Sequence, residues 1–308
     1  MSYLNAPHLH DEAKAYAFVE ALVWPQGRVC PHCGVVGESS AMKGASTRIG
    51  TYKCYACRKP FTVKIGTIFE SSHVKLHLWL QAIFLIASSK KGISSNQLHR
   101  TLGVTLKTAW FMSHRIREAM RTGGLGSFGG GGSPVEVDET FLGTDPGKKK
   151  QRGTSHKMKV LSLVDRNSGQ ARSFVVEDVK LSTLLPIIKE NVAGEAVVFT
   201  DDSKTYFTLA RHFSQHATVR HTIGEYGDGP VHTNTVEGFF SVFKRGMKGT
   251  YQHCGKQHLH RYLAEFDFRY SNRKALGVDD DLRTEQIVQG VVGKRLTYKA
   301  AGGTHATA

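Results

Sequence analysis

Long hydrophobic runs are missing from this sequence. The most apolar stretch, Leu76 to Ala87, is too short to span a bilayer and is interrupted by His77 and Gln81. The opening residues, MSYLNAPHLHDEAK, are polar and charged, so no secretory signal is legible. No internal repeat is legible either. Acids are scarce: 26 Asp and Glu stand against 41 Lys and Arg, a net charge of +15 with pI near 9.6. The basic residues recur in every region rather than in one tail or one amphipathic segment. That distribution disfavours a membrane-surface protein and points to an anionic partner, nucleic acid first. Cysteines number only five, and four of them form two Cys-x-x-Cys pairs. This favours metal over disulfides and a reducing compartment, so a cytoplasmic, nucleoid-associated protein with no membrane partner is expected.

The 308 residues, 40% hydrophobic and 22% charged, can build two or three domains with a substantial core. Residues 11–23 have helical periodicity, with Ala15, Phe18, Val19 and Leu22 on one side and Trp24-Pro25 as a stop. Cys30 and Cys33 follow, then Cys54 and Cys57 about twenty residues on. Each pair can place two thiolates on one tetrahedral ion, and a closed set of four makes the expected Zn²⁺ structural, because no coordination position is left open. Unlinked thiol pairs or a redox motif is the competing reading. Residues 1–70 are thus expected to form a helix and a zinc ribbon.

Residues 71–121 read as helices. Two of them, around 93–104 and 105–117, are joined at Gly103, the arrangement of a helix-turn-helix. The second carries Lys107, Arg115 and Arg117, the expected DNA contacts, though a purely structural bundle uses the same turn. Glycines at 123–124 and 129–132 mark an expected flexible linker over 122–134. From 135 to 275 the pattern becomes α/β: strands at 135–143, 157–165 and 171–177 in a meander, a helix at 181–192, a strand at 196–200, a helix at 206–213 and a strand at 217–222. Residues 258–270 make a supporting helix. The order βββαβαβα matches a ribonuclease-H-like sheet with helices on its faces. Residues 276–308 are left as an extension with a short helix near 281–288 and a disordered tail from Lys299. The expected fold class is multidomain α/β, a zinc ribbon and helix-turn-helix followed by a ribonuclease-H-like catalytic domain.

The organising stretch is His232 to Gln252, HTNTVEGFFSVFKRGMKGTYQ. On a helix, Val236, Phe239, Phe240, Phe243 and Met247 share one buried arc. Glu237, Ser241, Lys244 and Lys248 share the neighbouring arc, where an acid is held rigidly and lysines can meet a polyanion. Two strand-like segments, VEVDETF at Asp138 and AVVFTDD at Asp201, deliver further carboxylates. Three such hard oxygen ligands on two strands and a helix suggest a two-Mg²⁺ phosphoryl-transfer site, with Mn²⁺ as a substitute. Asp202 rivals Asp201, which is preferred because it directly ends the apolar strand. The basic run after the first strand, with Lys148, Lys149 and Lys150, is either a solvated loop or a DNA contact.

Asp138, Asp201 and Glu237 with Lys244 resemble the DDE motif of transposases and retroviral integrases. The four cysteines with VDETF, VVFTDDSKTY, HTNTVEGFFSVFKRGMKGTYQHC and EFDFRYSNR resemble the ISXO2-like family of insertion-sequence transposases over roughly residues 15–275. The resemblance implies an enzyme that binds the terminal inverted repeats of a DNA element, cuts there and joins the 3′-OH to target DNA, as a homo-oligomer on DNA. Some relatives carry asparagine as the third catalytic residue, and Asn234 lies one turn before Glu237. Glu237 is preferred because an anion binds Mg²⁺ better and because Lys244 keeps a seven-residue offset from it. Two other readings stand beside this one. A catalytically inert DNA-binding regulator is disfavoured by three intact acids. A ribonuclease-H-like nuclease has no need of the N-terminal DNA-binding parts.

Overall fold

The computed structural model describes residues 3–121, 126–219 and 231–297. Expectations for 122–125, for 220–222 and for the tail from Lys299 lie outside the described residues. Two compact units emerge, one from Met1–Ser88, Ile93–Met120 and Asp280–Ala308, the other from Ser89–Gly92 and Arg121–Asp279.

In the first unit, α1 (Glu12–Val23) begins at Asp11, whose side chain accepts from the Lys14 amide at 2.8 Å. Three short antiparallel strands follow, β1 (Ser39–Ala41), β2 (Tyr52–Cys54) and β3 (Pro60–Phe61). Their core is small: Cys30, Cys54 and Phe61 with Trp24, Tyr52 and Cys57 against them. α2 (Leu76–Ser88) starts with its first amides donating to the Glu12 carboxylate, from Leu76 at 2.8 Å and His77 at 3.1 Å. One acid thus caps a helix distant in sequence. α3 (Ser95–Leu102) stops at Gly103, whose φ of 66° needs a residue without a Cβ. α4 (Leu106–Met120) follows, and α8 (Asp280–Gln289), from the far end of the chain, belongs to this unit too. Arg283 donates to the Ala87 carbonyl at 2.7 Å and Lys294 to that of Ala119 at 3.0 Å.

The second unit is a mixed α/β layer built on five strands. They are β4 (Pro134–Leu142), β5 (Met158–Asp165), β6 (Ala171–Val176), β7 (Val197–Asp201) and β8 (Gln215–Val219). The sheet order is β6-β5-β4-β7-β8, antiparallel from β6 to β4 and parallel from β4 to β8. Alternation along the strands makes two apolar faces. Val135, Val137, Leu161, Leu163 and Val198 pack under α5 (Leu181–Asn191). Met158, Val160 and Val164 pack under α6 (Asn234–Gly246) and α7 (Lys256–Ser271). The phenylalanine stripe of α6 lies there as its periodicity required, with Phe243 edge-on to Phe266 of α7 at 5.2 Å.

Two expectations fail. Residues 126–134 are not a flexible linker: Phe128 is buried and bridges to Val192, and the Gly129 amide donates to Asp165 at 2.8 Å. A Cβ on Gly129 would come within 2.2 Å of that of Ala196, so close backbone approach, rather than flexibility, explains the glycine. The helix expected at 206–213 is instead two 3₁₀ turns, Lys204–Tyr206 and Leu209–Arg211. Buried Tyr206 and Leu209 are three apart, a spacing that serves a 3₁₀ turn as well as an α-helix in so short a segment.

Candidate carboxylate site and zinc centre

The parallel register of β4 and β7 aligns Pro134 with Val197, Val135 with Val198 and Glu136 with Phe199. Carried two residues beyond the last paired position, the same register sets Asp138 level with Asp201 on neighbouring strands. Asp201 is the last residue of β7, at the carboxyl end where open α/β sheets place their sites, and Asp138 lies midway along the longer β4 beside it. Burial pushes the Asp138 carboxyl up to about 7, against the pull of the Glu139 amide, which donates to it at 2.7 Å. The charges of Glu139, Asp201 and Glu237 raise it further, so all three acids act on Asp138. Asp201 accepts from the Ser203 amide at 3.1 Å, and the exposed Glu237 accepts from the Thr233 hydroxyl at 3.2 Å. Asn234 is exposed at the first position of the same helix. Lys244 and Lys248 are exposed, and Lys244 lies 5.9 Å over the Phe240 ring.

Residues that sequence reasoning missed hold this arrangement together. Glu136, fully buried on the same face of β4 as Asp138, accepts from Arg166 Nε at 2.5 Å and from the Val236 amide of α6 at 2.8 Å. Arg166 also donates to the His232 carbonyl at 2.6 Å and stacks over Phe199 at 4.6 Å. One guanidinium therefore touches β4, β7 and the start of α6, the three elements that carry the three acids. On the other face, Tyr206 donates its hydroxyl to Glu139, whose carboxyl is also pushed up to about 7, by burial first and by Asp201. The legible signal was the strand itself: VEVDETF puts three acids on one largely buried segment, which demands partners for each.

The cysteines come together fully. Cys30, Cys33, Cys54 and Cys57 bring their sulfurs within 4.8 Å of one another, with Cys30 to Cys57 and Cys33 to Cys54 each at 3.7 Å. A tetrahedral zinc with bonds of about 2.3 Å sets its sulfurs about 3.8 Å apart, which the two 3.7 Å pairs match, so the donor set fits that ion. Among the described residues, no other group of three or more candidate ligands is this close; the carboxylates of Asp138, Asp201 and Glu237 are more widely spread.

The expected DNA contacts divide. Lys107, at the start of α4, is exposed, as are Lys148, Lys149 and Lys150, with Lys148 pairing to Asp145 at 3.5 Å. Arg115 and Arg117 are not placed to reach a phosphate. Arg115 is buried and donates to the carbonyls of Ile68, Glu70 and Leu296 at 2.6, 2.8 and 3.0 Å. Arg117 is 1% exposed and donates to Ser113 at 3.1 Å. Every residue of α4 from Met112 to Arg117 is buried, so these two arginines bond to carbonyls and a hydroxyl of the protein instead of phosphate oxygens.

Comparison with known proteins follows the same division. Residues 130–271 match the ISXO2-like transposase domain and residues 10–60 the transposase zinc-ribbon domain. An uncharacterized protein in transposable element ISH50 of Halobacterium salinarum is 26% identical over 84% of this chain and 90% of its own. A transposase-like protein of Haemophilus influenzae is 30% identical over 38% of this chain and 91% of its own. A simian T-cell lymphotropic virus intasome structure, in complex with PP2A regulatory subunit B56 gamma, aligns to 55% of this chain and 63% of its own. The two are 14% identical, with a TM-score of 0.29. Zinc ribbon, mixed sheet and carboxylate-bearing strands lead to one conclusion: the chain belongs to the ISXO2-like transposase family.

Proposed function

We propose that this protein is a DNA transposase that binds the inverted repeats ending its element, cuts there and transfers the freed 3′-OH to target DNA. The observation that carries the proposal is the placing of Asp138 and Asp201 on neighbouring parallel strands, with Glu237 on α6 near enough for its charge to act on Asp138. The antiparallel-to-parallel strand order, with α5 on one face and α6 and α7 on the other, supports a ribonuclease-H-like reading of residues 135–275. The pair α3 and α4 about Gly103 supports a helix-turn-helix within residues 71–121.

Hard carboxylate oxygens are the donors that Mg²⁺ or Mn²⁺ prefers, so Asp138, Asp201 and Glu237 fit two such ions. When bound, these supply an activated oxygen nucleophile and charge neutralisation at the leaving oxygen. Arg166 and Glu136 keep the three acids in register. Lys244, Lys248 and the run Lys148–Lys150 hold backbone phosphates as point charges, and Lys107 does so on the end-binding helix. The DNA-bound form is a homo-oligomer, since two ends are joined in one event.

The test is Mg²⁺-dependent cleavage of DNA carrying the inverted repeats that flank the gene. Glu237→Gln keeps the shape and removes the charge, so cleavage should fall by several orders of magnitude while DNA binding survives. Asn234→Ala should cost less, since Asn234 opens the helix or lies behind the ligands. An active glutamate variant beside a dead asparagine variant moves the third ligand to Asn234. Wild-type protein that binds these ends yet never cuts them refutes the proposal.

A further inference from the structure

A cavity of about 740 Å³ opens in the second unit beyond the carboxylates. Its size falls within the range of roughly 300–1,000 Å³ seen for small-molecule sites. The floor is apolar: Leu142 at the end of β4, Met158 at the start of β5, and Met247. Lys244 and Lys248, both exposed, stand on the rim. The remaining wall includes the exposed Gln252 and His253.

That wall is built against backbone preference. After α6 the chain runs into a π-helical turn, Met247–Tyr251, a rare form concentrated at functional sites. Gln252 then takes φ 56° and ψ −54°, and the His253 amide donates to the Tyr251 carbonyl at 2.6 Å. This is a γ-turn of the positive-φ kind, which side-chain-bearing residues rarely adopt. Strain of this sort persists where the surrounding structure imposes it, most often at ligand sites. Here it brings an amide and an imidazole, groups able to pair with a base edge, to the wall of an apolar cavity.

A site for phosphate alone needs no apolar floor, and an apolar ligand needs no pair of lysines. A nucleotide needs both: a flat base that packs on apolar side chains, and flanking phosphates that meet cations. We propose that this cavity receives one base of the bound DNA strand, turned out of the duplex, with Lys244 and Lys248 holding the phosphates on either side. The proposal rests on the DNA-transfer reading above. From Asp138 to Leu142 is four strand residues, about 13 Å, and from Glu237 to Lys244 is seven helical residues, about 10.5 Å. At about 3.4 Å per base step, the extruded base lies about three to four nucleotides from the cleaved phosphate.

The test uses the full-length protein with duplexes copied from the element's ends, each carrying one 2-aminopurine. Fluorescence is read in Ca²⁺ and cleavage separately in Mg²⁺. One position, about three to four nucleotides from the cut, should brighten several-fold. Thr144 is exposed and lines the cavity, so Thr144→Trp should put an indole in the space a base would take, abolish the brightening and slow cleavage at least tenfold. An abasic nucleotide at that position should restore the rate of Thr144→Trp, which a misfolded variant could not do. No brightening at any position, or equal brightening in Thr144→Trp, overturns the inference. Brightening without cleavage leaves the cavity assigned and overturns the transferase reading instead.

Discussion

Asp138→Asn should stabilise the protein while destroying the activity proposed for it. In the Mg²⁺-free wild type, burial and three neighbouring acids hold the Asp138 carboxyl near 7. In the unfolded chain the same group titrates near 4. Between those values the folded state binds the extra proton, so this group's contribution to stability falls as pH rises from about 4 to about 7. At about 1.4 kcal/mol per pH unit the ceiling is about 4 kcal/mol, and partial exposure to solvent reduces it to about 2. Asparagine keeps the oxygen that accepts from the Glu139 amide and removes the charge. At pH 8 in Mg²⁺-free buffer without chelator, so that zinc stays bound, Asp138→Asn should therefore melt several degrees higher than wild type. At pH 4.5 the gap should nearly close. Saturating Mg²⁺ at about a hundred times its Kd should raise wild-type stability by about 2.7 kcal/mol and leave the variant almost unmoved. If the variant is less stable at pH 8 and Mg²⁺ does nothing for wild type, the acids do not form a metal-ready cluster.

Three further outcomes follow from the same geometry. Protein purified under reducing conditions should hold one zinc per chain; Cys33→Ser should lose it and unfold the ribbon, and a full complement of metal in that variant would contradict the four-sulfur centre. Arg115→Ala should leave three carbonyls, that of buried Ile68 among them, without this donor and cost about 2–4 kcal/mol in melting experiments. It should not change the salt slope of DNA binding, whereas Lys107→Ala should lower that slope by about 0.9 in log K against log salt; the reverse pattern would return Arg115 to the DNA. Arg166→Met should strand the buried Glu136 charge, costing about 3–5 kcal/mol, and should cut the cleavage rate far more than end-binding affinity. An equal loss of both would make Arg166 merely structural.

How far the sequence could be read depended on whether a pattern had one physical meaning. The phenylalanine stripe of α6 repeats at a helical period and has only one way to be buried. The four cysteines are spaced as a tetrahedral ion requires. Asp138, midway along a largely buried strand, was legible as an acid that needs partners. Charge and glycine were ambiguous. Arg115 and Arg117 look like phosphate contacts on a basic helix, yet a guanidinium with five donors also satisfies stranded carbonyls, and only tertiary packing decides between these roles. The glycines at 129–132 read as a linker, but at least Gly129 is there because Ala196 leaves no room for a Cβ. Arg166 could not be found at all, since its partners Glu136, Phe199 and His232 are far apart in sequence.

The most direct measurement of the central claim is the position of manganese in crystals of the protein bound to its element ends, read from anomalous scattering. The account expects peaks between the carboxylates of Asp138, Asp201 and Glu237, absent in Asp138→Asn. Manganese bound elsewhere in a complex that still cuts its DNA would contradict it.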